Sequence, residues 1–86
     1  MKNITQKILE YTAIFEPAEE GGYIARVPAI PGCITEGDSF EETSKNIKDA
    51  IIGCLDVLKE EGQEIPQEKP ETVITKISIT NPSMSL

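Results

Sequence analysis

The chain has 86 residues, with 15 acidic and 8 basic side chains, a formal charge of −7 and no histidine. A chain this short is one domain, residues 1–86, and buries only roughly 60–65% of the surface its unfolded form exposes, so its core is thin. The charge disfavours a phosphate backbone, which needs clustered Lys and Arg, and it suits a basic protein partner. The missing histidine removes the commonest general base and excludes Ser-His-Asp and Cys-His catalysis within the chain.

Residues 1–6 are too polar for a signal peptide, and no apolar run approaches the ~20 residues that span a bilayer. Residues 7–16, KILEYTAIFE, predict a first strand. Leu9, Tyr11, Ala13 and Phe15 alternate there with Glu10, Thr12, Ile14 and Glu16. Pro17 and the run Ala18-Glu19-Glu20-Gly21-Gly22 break the alternation and read as a hairpin connection. A second strand is predicted over 23–27, with Tyr23, Ala25 and Val27 on one face. Pro28-Ala29-Ile30-Pro31-Gly32 follows, and its prolines fix φ and remove amide donors, predicting a stiff, extended, irregular segment. Residues 33–36 can form a short third strand ended by Gly37.

Ser39-Phe40-Glu41-Glu42 matches the capping box. The Ser39 hydroxyl would accept from the Glu42 amide, and the Glu42 carboxylate would reach back to the Ser39 amide. Phe40, Ile47, Ala50, Ile51, Cys54, Leu55 and Leu58 then recur at helical spacing, predicting a helix over 40–61 with Gly62 just beyond it. Residues 63–71 read as a polar linker. Residues 72–80 predict a last strand, with Val73, Thr75, Ile77 and Ile79 on one face and Ile74, Lys76 and Ser78 on the other. The tail 81–86 has no pattern and should fray, leaving 7–80 as the ordered part.

The predicted fold is α+β, β-β-β-α-β. It has an antiparallel three-stranded meander, a fourth strand parallel to its neighbour, strand order 3-2-1-4, and the helix packed on one face. The helix should cover the face of Leu9, Tyr11, Phe15, Tyr23 and Val27. One helix cannot cover both faces, so Ile14, Ile24 and Ile74 mark the open face as a candidate for homodimer or higher self-association.

Cys33 and Cys54 fit no zinc spacing and have no histidine to complete a site. They suit a reduced, cytoplasmic setting and read as small buried side chains. A divalent-metal nuclease would need converging carboxylates. Glu10 or Glu16 and Asp49 or Asp56 could serve, but residues 72–80 hold none, so the set is incomplete. No cofactor, metal or catalytic residue is therefore expected.

Residues 11–58 carry GGY, then V-P-x-x-P-G-C, then T-E-G-D-S-x-E-E and an amphipathic helix. In that order and spacing the stretch resembles the HicB family of antitoxins. The resemblance implies a degraded ribonuclease H-like fold. It also implies neutralisation, in a type II toxin-antitoxin system, of a HicA-like toxin, a small basic protein that cleaves RNA. Many members add a C-terminal DNA-binding module; here no basic recognition helix follows residue 80, so DNA binding by this chain alone is not expected. The partner-binding candidates are Glu16, Glu19 and Glu20 at the first hairpin, with Tyr23, Ile30 and Cys33 near the proline loop. The competing readings are a small oligomeric interaction domain with no toxin partner, and a weak metal-dependent nuclease using Glu10, Glu16 and Asp49.

Overall fold

A computed structural model describes residues 8–81. The predicted fraying at 82–86 and the predicted polar start lie outside the described residues.

The elements run β1 (Ile14–Pro17), β2 (Tyr23–Arg26), β3 (Ile34–Gly37) and α1 (Phe40–Glu60). The strands form one antiparallel sheet in the order β1-β2-β3. Its register places Phe15 opposite Ala25 and Ala25 opposite Thr35. Side chains alternate across a pleated sheet, so odd-numbered strand residues share one face and even-numbered residues the other. The odd face is the inner one. Ala25 is fully buried on it, with Val27, Ile30, Cys33 and Ile47 closing the core and Tyr11, Ala13, Phe15, Ala50, Ile51, Cys54 and Leu55 packed around them. The expected helix-covered face is therefore correct, except that Leu9 remains 40% exposed.

Both helix ends are built as their sequences require. The Ser39 hydroxyl accepts from the Glu42 amide at 3.0 Å. The reciprocal half of the expected capping box differs, because Glu42 Oε1 accepts from the Asp38 amide, at 3.1 Å, rather than from Ser39. At the other end Gln63 N–H donates to the Leu58 carbonyl and Gly62 N–H to that of Lys59. This is the paired bonding of a Schellman stop, with Gly62 at φ 68°.

Two expectations are corrected, and a third, the fourth strand, is not seen among the described residues. First, β1 begins at Ile14 instead of residue 7. The residues ahead of it bond to the linker after α1: the Tyr11 hydroxyl donates to the Pro66 carbonyl, and the Thr12 amide and hydroxyl donate to the Glu68 carboxylate. Second, residues 28–32 are not extended. The Ile30 amide donates to the Val27 carbonyl and the Cys33 amide to that of Ile30, so two tight turns run in series, each with a proline second. Gly32, at φ 78°, supplies the left-handed position of the second turn. The chain reverses sharply, and Ile30 between the turns drops into the core at 2% exposure. Third, the sheet contains no fourth strand among the described residues. Residues 72–80 are all exposed and lie outside it.

Candidate protein-interaction surface

The hairpin after β1 closes with Ala18 N–H donating to the Gly22 carbonyl and Gly21 N–H to that of Ala18. This tight loop leaves Glu19 and Glu20 at its exposed tip. The loop leans on the β3–α1 turn. A Cβ on Gly22 would lie 2.1 Å from the Gly37 carbonyl oxygen and 2.9 Å from Asp38 Cα. Backbone contact this close sets Glu19 and Glu20 beside Glu36, Asp38 and Glu42 around one open depression, with Tyr23 and Ile24 in its wall. The Tyr23 ring meets Phe40 edge-on, with centroids 6.0 Å apart, and Phe40 in turn lies 4.6 Å from Phe15.

The depression continues onto the even-numbered face of the sheet through Ile24 and Glu36. Ile24 lies opposite Glu16 and Glu36, and Arg26 opposite Ile14 and Ile34. Glu16 pairs with Arg26 diagonally across the strands. The result is an isoleucine patch in which Arg26 lies between Ile14 and Ile34, and Glu16 and Glu36 flank Ile24. Ile34, 59% exposed, belongs to it and was not singled out from sequence. The signal was there, since Ile34 shares the even register of Ile14 and Ile24 once β3 is paired. Ile74 is not brought beside them, because it lies in residues 72–80, outside the sheet.

Of the other sequence candidates, Glu16, Glu19 and Glu20 are exposed and Tyr23 is half-buried. Ile30 and Cys33 are core residues, each 2% exposed; this is the burial expected of Cys33 as a small side chain, and it takes both out of the surface contact set. The double turn points them inward, where they hold the proline loop in shape. Burial, and then the neighbouring Cys54, push the Cys33 thiol up from 9.0 to about 11. It is therefore a protonated thiol at neutral pH, without nucleophilic character.

The nuclease candidates do not converge. Glu16 lies on the even face, whereas Asp49 belongs to α1 on the odd face. Among the described residues no three Asp, Glu, Cys or His side chains are grouped to hold a metal ion. No helix among them is long and apolar enough to cross a membrane.

A family model described as the HicB-like antitoxin of bacterial toxin-antitoxin systems matches residues 11–83. This chain belongs to the HicB-like antitoxin family. A UPF0150 protein of Thermoplasma acidophilum is 38% identical over 65 residues, which span 76% of this chain and 94% of that protein. An antitoxin HicB of Photorhabdus laumondii is 38% identical over 64 residues, 74% of this chain but only 41% of the relative. The antitoxin HicB of Escherichia coli is 32% identical over 62 residues, 72% of this chain and 45% of its own length. The similarity to named HicB antitoxins thus covers less than half of each. The match spans β1–β3, α1 and the linker, so the acidic depression and the isoleucine face are built from the family's own segment.

Proposed function

We propose that this HicB-like chain is a non-catalytic cytoplasmic antitoxin that binds and neutralises a basic, HicA-like RNA-cleaving toxin. The observation that carries the reading is the continuity of the acidic depression with the isoleucine face. Carboxylates at a rim steer a basic partner in, and a desolvated apolar centre holds it. Glu16, Glu19, Glu20 and Tyr23 are the proposed contact residues, joined by Ile24 and Ile34. DNA binding by this chain alone is not part of the reading, because its charge of −7 offers no basic surface for counterion release.

Self-association belongs to the same reading. Ile24, Ile34, Val73, Ile74, Ile77 and Ile79 are exposed on a chain whose core is thin. A homodimer would hide part of this surface and complete the sheet with residues 72–80 as the fourth strand of a degraded ribonuclease H-like fold. The same exposed isoleucines favour the second reading, a small oligomeric interaction domain with no toxin partner.

The test is titration of the chain with the purified product of the adjacent gene, alongside an operator DNA fragment. Tight binding of a basic protein with loss of its RNA cleavage is expected. Charge reversal by Glu19→Lys with Glu20→Lys should slow association and flatten its salt dependence, leaving dissociation nearly unchanged. Absence of binding to that protein, or tight DNA binding by this chain, would overturn the proposal.

A further inference from the structure

We propose that residues 72–80 form an exchange arm: in a dimer of this chain, the arm of each copy adds as the fourth strand to the outer edge of β1 in the other copy. The inference rests on the self-association read above and goes further by naming the element, the edge and the partner copy.

The arm has the composition of a strand and the exposure of one that lacks its sheet. Val73, Ile77 and Ile79 share one row with Thr75, against Ile74, Lys76 and Ser78 on the other, and are 81%, 77% and 80% exposed. β-branched residues in that pattern fit a pleated, half-buried surface and are poorly matched to water on every side. The base of the arm is fixed beside β1. The Glu68 carboxylate accepts from the Thr12 amide and hydroxyl, the Pro66 carbonyl accepts from Tyr11, and a turn follows with the Thr72 amide donating to the Lys69 carbonyl. The arm therefore leaves the molecule next to β1, and beyond this turn it lies outside its own sheet.

The edge it leaves beside is open to a strand. β1 pairs only with β2 among the described residues. The Ala18 amide bonds to Gly22 across that pair, so by ladder alternation the backbone groups of even-numbered β1 residues point to β2 and those of Phe15 point out. Pro17, with no amide, sits at the far end of the edge and limits pairing there. Between the approach to β1 and α1 runs a groove lined by Leu9, Tyr11, Lys48, Ile51, Ile52 and Leu55. Ile52, which lines this groove, is 52% exposed. A strand on the β1 edge would place one alternating side-chain row in this groove, and the row of Val73, Ile77 and Ile79 is apolar enough to fill it. The opposite edge is a poorer receiver, since Asn46 Nδ2 already donates to the Glu36 carbonyl of β3 at 2.9 Å. Exchange is reciprocal, so a two-fold axis beside the β1 edges satisfies both arms and both grooves at once.

The experiment uses the full chain with Lys76, on the polar row of the arm, replaced by the photo-reactive p-benzoylphenylalanine. This chain is mixed with a ¹⁵N-labelled copy, allowed to exchange subunits, irradiated and mapped by mass spectrometry, with sedimentation run in parallel. A dimer whose cross-links join residue 76 to residues 11–17 of the other isotopic copy is expected. Cross-links to 11–17 within one copy only, or to any other element, would overturn the exchange while leaving self-association intact. A monomer at micromolar concentration and above would overturn both. Neither result touches toxin binding, which is read separately by the titration. The double variant Ile77→Asp with Ile79→Asp should raise the dimer dissociation constant by about 100-fold or more. Should that variant fold poorly, cross-linking still decides.

Discussion

Gly37 and Thr43 approach so closely that a Cβ on Gly37 would lie 2.6 Å from Thr43 Oγ1 and 2.8 Å from the Thr43 amide nitrogen. Thr43 is fully buried, and its hydroxyl donates to the Ser39 carbonyl at 2.7 Å. The last residue of β3 and the first turn of α1 are thus packed backbone to backbone. Gly37→Ala should cost about 2 kcal/mol or more, because a methyl can enter only by displacing the helix or breaking the Thr43 bond. Gly53→Ala is the contrasting case. A Cβ there would meet nothing within 4 Å, and Ala should stabilise the helix by about 0.5–1 kcal/mol. Urea denaturation of both variants checks the pair; equal midpoints would contradict the close approach.

Removing the helix cap should also register in stability. Ser39→Ala leaves the Glu42 amide without its acceptor and should cost roughly 0.5–2 kcal/mol. Glu42→Gln should cost less, since an amide oxygen can still accept from Asp38. An unchanged denaturation midpoint and slope in Ser39→Ala would count against the cap.

The Cys33 thiol is pushed up to about 11 by burial and by Cys54. A raised value means that the folded state favours the protonated thiol. Its contribution to stability is therefore complete below about pH 9 and is lost as pH rises through about 11. The denaturation midpoint should fall across that window, and by less in Cys33→Ala. At pH near 8 iodoacetamide should label Cys33 far more slowly in the folded chain than in urea; equal labelling rates would show an exposed thiol.

Glu68 holds the linker to the residues just ahead of β1 by accepting both Thr12 donors. Glu68→Ala should cost about 1 kcal/mol, toward the low side for bonds to a carboxylate because the pair is only part-buried. The Thr12 amide should then exchange faster with solvent. Burial and, next, the Glu68 charge raise the Tyr11 phenol above 10.0. Neutralising that charge with Glu68→Gln should let Tyr11 ionise at lower pH, which ultraviolet titration reads. No shift in Tyr11 would mean that the carboxylate is not beside the ring.

Local order alone made much of this protein legible. The end of the alternation in 7–16, the alternation in 23–27, the Ser39-to-Glu42 cap and the apolar period of 40–61 identify strands and helix because each rests on neighbours in the chain. The acidic charge and the absence of histidine bound the chemistry in the same way, and the motif run from residue 11 to 58 points to the family. What these patterns missed involves contacts between distant segments. Thr43 looks like a surface threonine until Gly37 comes against it. Ile34 looks unremarkable until the β2–β3 register sets it in line with Ile24. Ile30 looks exposed in a proline-rich loop until two successive turns roll it inward.

Composition, the order of the elements, the helix ends and the lack of a histidine-based mechanism were determined by the sequence itself, since each depends on residue type and short-range spacing. Only the tertiary structure decided which loop residues face water, that Glu19 and Glu20 share a depression with Glu36 and Asp38, that Glu16 and Asp49 are kept on opposite sides of the sheet, and that residues 72–80 stand outside their own sheet. The physical reason is that a period of two marks a segment able to pair, whereas whether it pairs depends on a free edge within reach, and that edge is made by other parts of the chain.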